Sequence, residues 1–410
     1  MLSVIDNLKT KTTMRFFFFL FLSFSSFCQT YTLTGSVKDT SNMPIPLANV
    51  FTAQGAGILT NENGEFVLKV SSLPFKIFIS HVSYQAVSIQ GKDETPVKII
   101  LKEGIKTLSE VKVGSYALEI IKKAIEKANS DSIYNHFGKG FYRRIAKEEN
   151  RYTVLHEIFF DGNFNSKYGI RNWKPTASRY TDHDGNFEVK GAYGYVFGDT
   201  SPSPRSYFYT REKGYLAIEE LSSYYRFEIE TVLHADTPNE IMVVSCKPRE
   251  NFETSFTGRF YIKSTTYSVL RVVGVEKVII PAVKNFWFKI KESSLDIDVQ
   301  FREKDETVIL SGIDAKLNLT VTYASSVNKQ GIEKMQLVIY DYDKPKDNEA
   351  AQLQPMFKIK QDQIFTTTQG SPEFWENNPI IKRTPLEDEV IKSFEKKAKK
   401  KGGNMFPAPK

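Results

Sequence analysis

Asn61-Glu62-Asn63-Gly64-Glu65-Phe66-Val67-Leu68-Lys69-Val70 decides how the first hundred residues read. Asn and Gly tolerate positive φ, so residues 61–64 predict a tight turn. In the next six residues Phe66, Leu68 and Val70 alternate with Glu65, Val67 and Lys69. That is the period of a strand with one buried face. The same pattern continues outward. Leu33 and Val37 alternate with Thr32, Thr34 and Ser36, the turn-rich run 39–46 follows, and Ala48–Phe51 and Ile58–Thr60 are two more short runs. Downstream, Phe75–Ser80, Ala86–Gln90 and Val97–Lys102 are further runs. About seven short strands broken by turn residues predict a small all-β sandwich.

Six landmarks recur in order: Leu33-Thr34-Gly35-Ser36-Val37; Pro44-Ile45-Pro46-Leu47-Ala48-Asn49-Val50; Gly57–Thr60; Asn61–Phe66; Ile79-Ser80-His81-Val82-Ser83-Tyr84; and Leu108-Ser109-Glu110-Val111. In these, residues 29–113 resemble the carboxypeptidase-regulatory-like domain. The resemblance implies a seven-stranded transthyretin-like sandwich and a place in the cell envelope of Bacteroidetes, at the N-terminus of a larger protein. It implies no catalytic residues. His81-Val82-Ser83-Tyr84 departs from the usual Gly-Tyr pair of that family and makes the turn at Ser83 atypical.

The 410 residues suffice for two or three domains, and 41% hydrophobic with 25% charged residues is a globular balance. It excludes a wholly disordered chain, a collagen and a polytopic helical membrane protein. Before the sandwich, Met14-Arg15 precedes the apolar run 16–24 and then Ser25-Ser26-Phe27-Cys28. One positive charge, a short apolar core and small residues at its end describe a secretory leader, too short to span a bilayer. Residues 1–28 are therefore read as a signal peptide cleaved before Gln29, with Met14 as the start. Cys28 leaves lipidation open, although Phe27 is larger than an acylation signal wants. Cys246 is then the single cysteine of residues 29–410 and sits in the apolar run Ile241–Cys246, where it reads as core. Lys9, Lys11, Arg15 and Asp6 leave with the leader, which takes the net charge from +7 to +5. Much of that excess lies in Lys392–Lys401, a solvated helix end or a weak attraction to an anionic surface, and not a nucleic-acid site.

Residues 114–345 read as a larger antiparallel β-rich domain with one packed helix. Over residues 116–129, Leu118, Ile121, Ala124 and Ile125 fall at helical spacing with Lys and Glu opposite. Phe141–Lys147 and Arg151–Phe160 flank Glu148-Glu149-Asn150 as a hairpin. Residues 165–215 are aromatic, rich in Gly, Ser and Pro and weakly periodic, and predict a loop-rich insertion. From Tyr225 a meander follows, in runs at 225–233, 239–247, 255–263, 267–278, 284–291, 294–303, 306–323 and 333–342. Such a chain predicts a curved open sheet wrapping the helix. The hairpin Gly258–Val272 is similar to one in lipoprotein-carrier-like half-barrels. Residues 346–410 form a tail with a short basic helix at Leu386–Lys400. The fold class is thus mainly β.

No reaction follows from the motifs. Tyr180-Thr181-Asp182-His183-Asp184-Gly185-Asn186 has the look of a calcium loop, but Gly185 as sixth residue puts Tyr180 first and Gly191 twelfth, and neither offers a carboxylate. His81, His136, His156, His183 and His234 lie far apart, and His156-Glu157 is in a strand-like run where neighbours face opposite ways. The pairs Asp296/Asp298, Glu148/Glu149 and Asp341/Asp343 are carboxylates at close spacing that read as surface or strand ends. Tyr193, Tyr195, Phe197, Tyr207, Phe208, Tyr209 and Tyr215 either stack on a ligand or pack the insertion onto the sheet. No catalytic, metal or cofactor site is expected. The expectation is an exported envelope protein, periplasmic or outer-membrane associated, with a non-catalytic binding or scaffolding role. The partner would be an envelope protein or an apolar small molecule, with possible peripheral membrane contact through the basic tail. The alternatives are a carrier of lipid or an acyl chain beneath Ile120–Ile125, a hydrolase with a site assembled from distant residues, and an outer-membrane barrel. The last is disfavoured by charged strand faces and a basic C-terminus.

Overall fold

The computed structural model describes residues 31–53, 57–104, 106–107, 115–181, 201–250, 255–277, 288–304, 306–323, 328–342, 353–355, 370–378 and 380–400. It opens with β1 (Tyr31–Asp39), β2 (Asn49–Thr52), β3 (Gly57–Leu59), β4 (Glu65–Val70), β5 (Phe75–Ser80), β6 (Val87–Gly91) and β7 (Val97–Leu101). One sheet has the order β4-β1-β7 and the other β3-β2-β5-β6. β1 runs antiparallel to β4 and parallel to β7. The alternation read from the sequence is the alternation of burial. Phe66, Leu68 and Val70 are buried against Leu33, Val37, Val50, Ile77 and Ile79 in one core. The turn before β4 needs its glycine. Gly64 has φ +70°, and a Cβ there would stand 2.3 Å from the Val37 carbonyl oxygen. Asn61 Oδ1 fixes the same turn by accepting from the N–H groups of Asn63 and Glu65, both at 2.9 Å.

The rest of the chain builds a twelve-stranded sheet. Its strands are β8 (Lys106–Thr107), β9 (His136–Glu148), β10 (Arg151–Asn165), β11 (Gly169–Tyr180), β14 (Tyr225–Leu233), β15 (Ile241–Pro248), β16 (Ser255–Lys263), β17 (Val269–Lys277), β18 (Phe288–Lys304), β19 (Thr307–Tyr323), β20 (Asn328–Tyr342) and β21 (Gln354–Pro355). A separate pair, β12 (Tyr209–Thr210) and β13 (Gly214–Tyr215), lies in the connection between β11 and β14. The order is β21-β11-β10-β9-β20-β19-β18-β17-β16-β15-β14-β8, antiparallel throughout. The meander from β14 to β20 returns to pair with β9, which joins the early hairpin to the late strands.

The two faces of this sheet are covered differently. Helix α1 (Ser115–Ser130) lays Ala117, Ile120, Ile121, Ala124 and Ile125 on one face. These meet inward side chains of β9–β11 and β14–β20 in a single core that includes Tyr142, Phe160, Trp173, Phe256, Phe260, Leu317 and Leu337. The opposite face carries the sandwich and two C-terminal helices, α2 (Pro372–Asn377) and α3 (Pro385–Lys400). α3 is amphipathic, and its Val390, Ile391 and Phe394 are buried on Ile145 and Leu155.

Two stretches differ from the sequence reading. Residues 165–215 are not an insertion throughout, because β10 runs on to Asn165 and β11 occupies Gly169–Tyr180. Register shifts at Phe159/Phe160 and Asn163/Phe164 slip the face alternation of that hairpin. They erase the period of two by which a strand is recognised. Residues 288–291 and the run 294–303 are likewise joined in β18, whose pairing shifts between Ile290 and Glu292, while 284–287 lie outside the described residues.

Candidate functional site

The sandwich is seated on the sheet through a mixed seam. Leu59, at the end of β3, is buried with Phe141, Phe159, Val338, Trp375 and Ile381. Gly312 of β19 makes this approach possible, because a Cβ there would lie 2.2 Å from Leu59 Cδ1. Beside this apolar plug the β3–β4 turn makes polar contacts to the larger sheet and the C-terminal segment. Glu62 pairs with Lys334 of β20, Glu65 with Lys382 at 2.9 Å, and Asn61 Nδ2 donates to the Lys382 carbonyl at 3.0 Å. Lys382 holds the Glu65 carboxyl below its usual range. A second contact joins His234, in the β14–β15 turn, to the Val82 carbonyl at 3.3 Å, with Val82 packed beside Leu233, Ile241 and Val243.

Buried charge concentrates behind this seam. Burial alone would raise Glu157, but the guanidiniums of Arg143 and Arg179 outweigh it and hold its carboxyl at about 2. Arg143 donates to Glu157 at 2.7 Å, Arg179 donates to its other oxygen, and Glu387 of α3 stands 3.6 Å from Arg143. Arg179 also lies 4.5 Å above the Trp375 ring of α2. The C-terminal helices are thus tied to β9, β10 and β11 by a four-member charge network. Asp314, on β19, is pushed up to about 6 by burial, against the pull of Lys334 and of the hydrogen bond from Gln336 at 3.1 Å. His81 is driven down to about 3 by burial, with Arg271 adding repulsion. It is therefore neutral at physiological pH, with its ring edge on Tyr84. On the α1 side of the sheet, Arg144 donates twice to Glu333, at 3.1 and 3.0 Å.

The candidate residues read from the sequence separate. His136 meets Thr307 at 2.9 Å, His156 is buried edge-on to Tyr180, and His81 and His234 lie at the seam. Among the described residues no three His, Cys, Asp or Glu side chains gather as metal ligands. Tyr180 and Thr181 of the calcium-like stretch close β11, where Thr181 Oγ1 accepts from Leu155 N; residues 182–186 lie outside the described residues, as do the leader, Cys28 and Asp343. Asp298 pairs with Arg271 and Asp296 accepts from Asn318. Glu148 is 3.5 Å from Lys329, while Glu149 accepts from Gln330 N in the β9–β10 turn. Asp341 stands 4.0 Å from Lys139. Tyr207 and Phe208 pack onto the sheet against Phe256, Phe260, Tyr225 and Phe227, whereas Tyr209 and Tyr215 stay exposed as an edge-to-face pair at 5.4 Å. Tyr193, Tyr195 and Phe197 lie outside the described residues. Cys246 is buried and its thiol is pushed up by that burial, so it stays protonated. The charge network of Arg143, Glu157, Arg179 and Glu387 was missed in the sequence. Its only trace there is charge inside strand-like runs where half the positions should be apolar.

The fold and seam define a two-module β protein, a small sandwich fixed on a large antiparallel sheet. Residues 33–113, in the first module, match the family model of the CarboxypepD_reg-like domain. No curated protein matches the chain in sequence. Several solved structures overlap it in part. A DUF1329 family protein of Desulfovibrio piger has TM-score 0.22 and 7% identity, covering 57% of this chain and 96% of that one. A putative outer membrane lipoprotein-sorting protein domain of Vibrio parahaemolyticus has TM-score 0.24 and 10% identity, covering 61% and 96%. Pseudomonas aeruginosa MucB in complex with MucA has TM-score 0.19 and 7% identity, covering 59% and 99%. No helix among the described residues is long and apolar enough to cross a membrane.

Proposed function

We propose that this is an exported cell-envelope protein with a non-catalytic binding or scaffolding role. The observation that carries this reading is the seam. Leu59 in its apolar pocket, with the Glu62–Lys334 and Glu65–Lys382 pairs around it, makes the CarboxypepD_reg-like module a fixed part of a larger platform. A fixed module presents its own open sheet edges, β6 and β7, in a set orientation to a partner. The secretory pattern of residues 14–28 supports export. The displaced groups are each held by their own partners, Glu157 by Arg143 and Arg179, Asp314 by Gln336 and His81 by the Tyr84 ring, which suits holding parts together and not proton transfer to a substrate.

The carrier reading places a ligand beneath Ile120–Ile125. Those four contact residues, Ile120, Ile121, Ala124 and Ile125, are at most 1% exposed. Protein side chains fill that space, which favours the scaffold. Native mass spectrometry of residues 29–410 purified without detergent tests the choice. The expected result is the mass of the bare chain, with a protein partner recovered by crosslinking in envelope extracts. An extra mass released by organic solvent sinks the scaffold reading in favour of the carrier.

A further inference from the structure

At one rim of the large sheet, three apolar side chains are held out into solvent. Ile133 is 74% exposed, Tyr134 51% and Tyr168 41%. The first two follow α1 in a 3-10 turn (Asp131–Ile133), and Tyr168 tips the β10–β11 hairpin. Single exposed apolar residues need no explanation. These three differ because the two loops that carry them are pinned to each other. Asn165, a buried residue, donates through Nδ2 to the carbonyls of Ser132 at 2.8 Å and Tyr134 at 3.2 Å, which clamps the two loops to each other. Ser166 Oγ donates to the Ala128 carbonyl at 2.8 Å, and Tyr168 N donates to the Asn165 carbonyl at 3.2 Å. Lys127 and Asp131 pair at 2.6 Å, and the Asp131 carboxylate is buried there. The Lys127 ammonium also caps the Glu306 carbonyl at 3.1 Å.

The charges at the outer edge of this tip are cationic. Arg171 lies 3.9 Å above the Tyr168 ring and Lys167 5.2 Å from its centre. A rigid, protruding set of one aliphatic and two tyrosine side chains with cations beside them matches the boundary of a bilayer. At such a boundary tyrosine rings favour headgroup depth, aliphatic groups the acyl boundary and cations the phosphates. A protein partner would more often supply such an anchor with a concave pocket ringed by polar contacts. We propose that the Ile133–Tyr134 turn and the Tyr168 hairpin form a peripheral contact with an anionic phospholipid surface, distinct from the basic tail.

Flotation of the 29–410 chain with vesicles of phosphatidylethanolamine and phosphatidylglycerol tests this, beside vesicles of phosphatidylcholine alone. Binding to the anionic vesicles is expected, falling roughly tenfold or more in I133S/Y134S and in K167E/R171E. All four positions are on the surface, and an unchanged melting curve shows that each variant is folded. Y134W gives a second reading, in which its emission moves to shorter wavelength on adding anionic vesicles. No flotation, flotation untouched by I133S/Y134S, or binding lost only on deleting residues 396–410 overturns the proposal. Capture of a protein partner that I133S/Y134S abolishes while flotation persists also overturns it.

Discussion

Glu157 shows how one residue ties the C-terminus to the sheet. Its two oxygens are shared between Arg143 and Arg179, and Arg143 in turn faces Glu387. All four side chains are buried. Removing one member of such a network leaves the others charged in a low-dielectric setting. Glu157→Gln is expected to lower stability by about 3–5 kcal/mol in urea unfolding, and a loss below about 1 kcal/mol would show the network to be slack. The pH dependence has a definite sign. The native carboxyl sits near 2 against an ordinary 4.5, so its stabilisation is present above 4.5 and is lost as pH falls towards 2. Asp314 runs the other way. Burial, helped by Glu62 and Asp298 and opposed by Lys334 and Gln336, raises it from 3.8 to about 6. The native state then binds the proton more tightly than the unfolded chain does, and stability falls as pH rises through that window. Asp314→Asn keeps an acceptor for Gln336 and removes the charge. It is expected to raise stability by about 1–3 kcal/mol above the window and to change it little below. Equal effects on both sides would refute the assignment.

At the scale of elements, α3 has a role beyond its basic charge. Val390, Ile391 and Phe394 cover Ile145 and Leu155, which would otherwise face water on the sheet. Phe394→Ala leaves a void in this small cluster and is expected to cost about 3–5 kcal/mol, read as a lower urea midpoint with an unchanged slope. The helix was legible as a short basic segment at Leu386–Lys400, though not its apolar face, and the sandwich strands were legible because their period of two is kept without a break in β4 and β5. The meander from β14 onward was legible for the same reason. β11 was not, because its bulged pairing with β10 shifts the buried positions from one face to the other. The charge network was not legible either. Its members stand at positions 143, 157, 179 and 387, and only the strand pairings β9–β10–β11 and the docking of α3 bring them together. The described histidines show the converse. His81, His136, His156 and His234 are each absorbed by a contact of their own, to Tyr84, Thr307, Tyr180 and the Val82 carbonyl.

For the whole molecule, the seam decides whether the two modules behave as one. Inter-domain contacts are usually modest and polar, and relative motion is the ordinary expectation. Here Leu59 crosses from one module into a core of the other, filling the space that Gly312 leaves open, and the pairs Glu62–Lys334 and Glu65–Lys382 surround it. The C-terminal segment completes the pocket through Trp375 and Ile381, so three parts of the chain share one cluster. Surface pairs of this kind add little alone, and the apolar plug is what couples the modules. Leu59→Asp places a carboxylate in that pocket at a cost of several kcal/mol, while Leu59 contributes nothing to the separate core of the sandwich. The sandwich is therefore expected to remain folded and lose its seat. Differential scanning calorimetry is expected to show one cooperative transition for the parent chain and two for Leu59→Asp, the lower belonging to one released module. Glu62→Ala is expected to leave the single transition intact. Two transitions in the parent chain would mean that the modules are only tethered, and the fixed orientation on which the scaffold role rests would fall with that result.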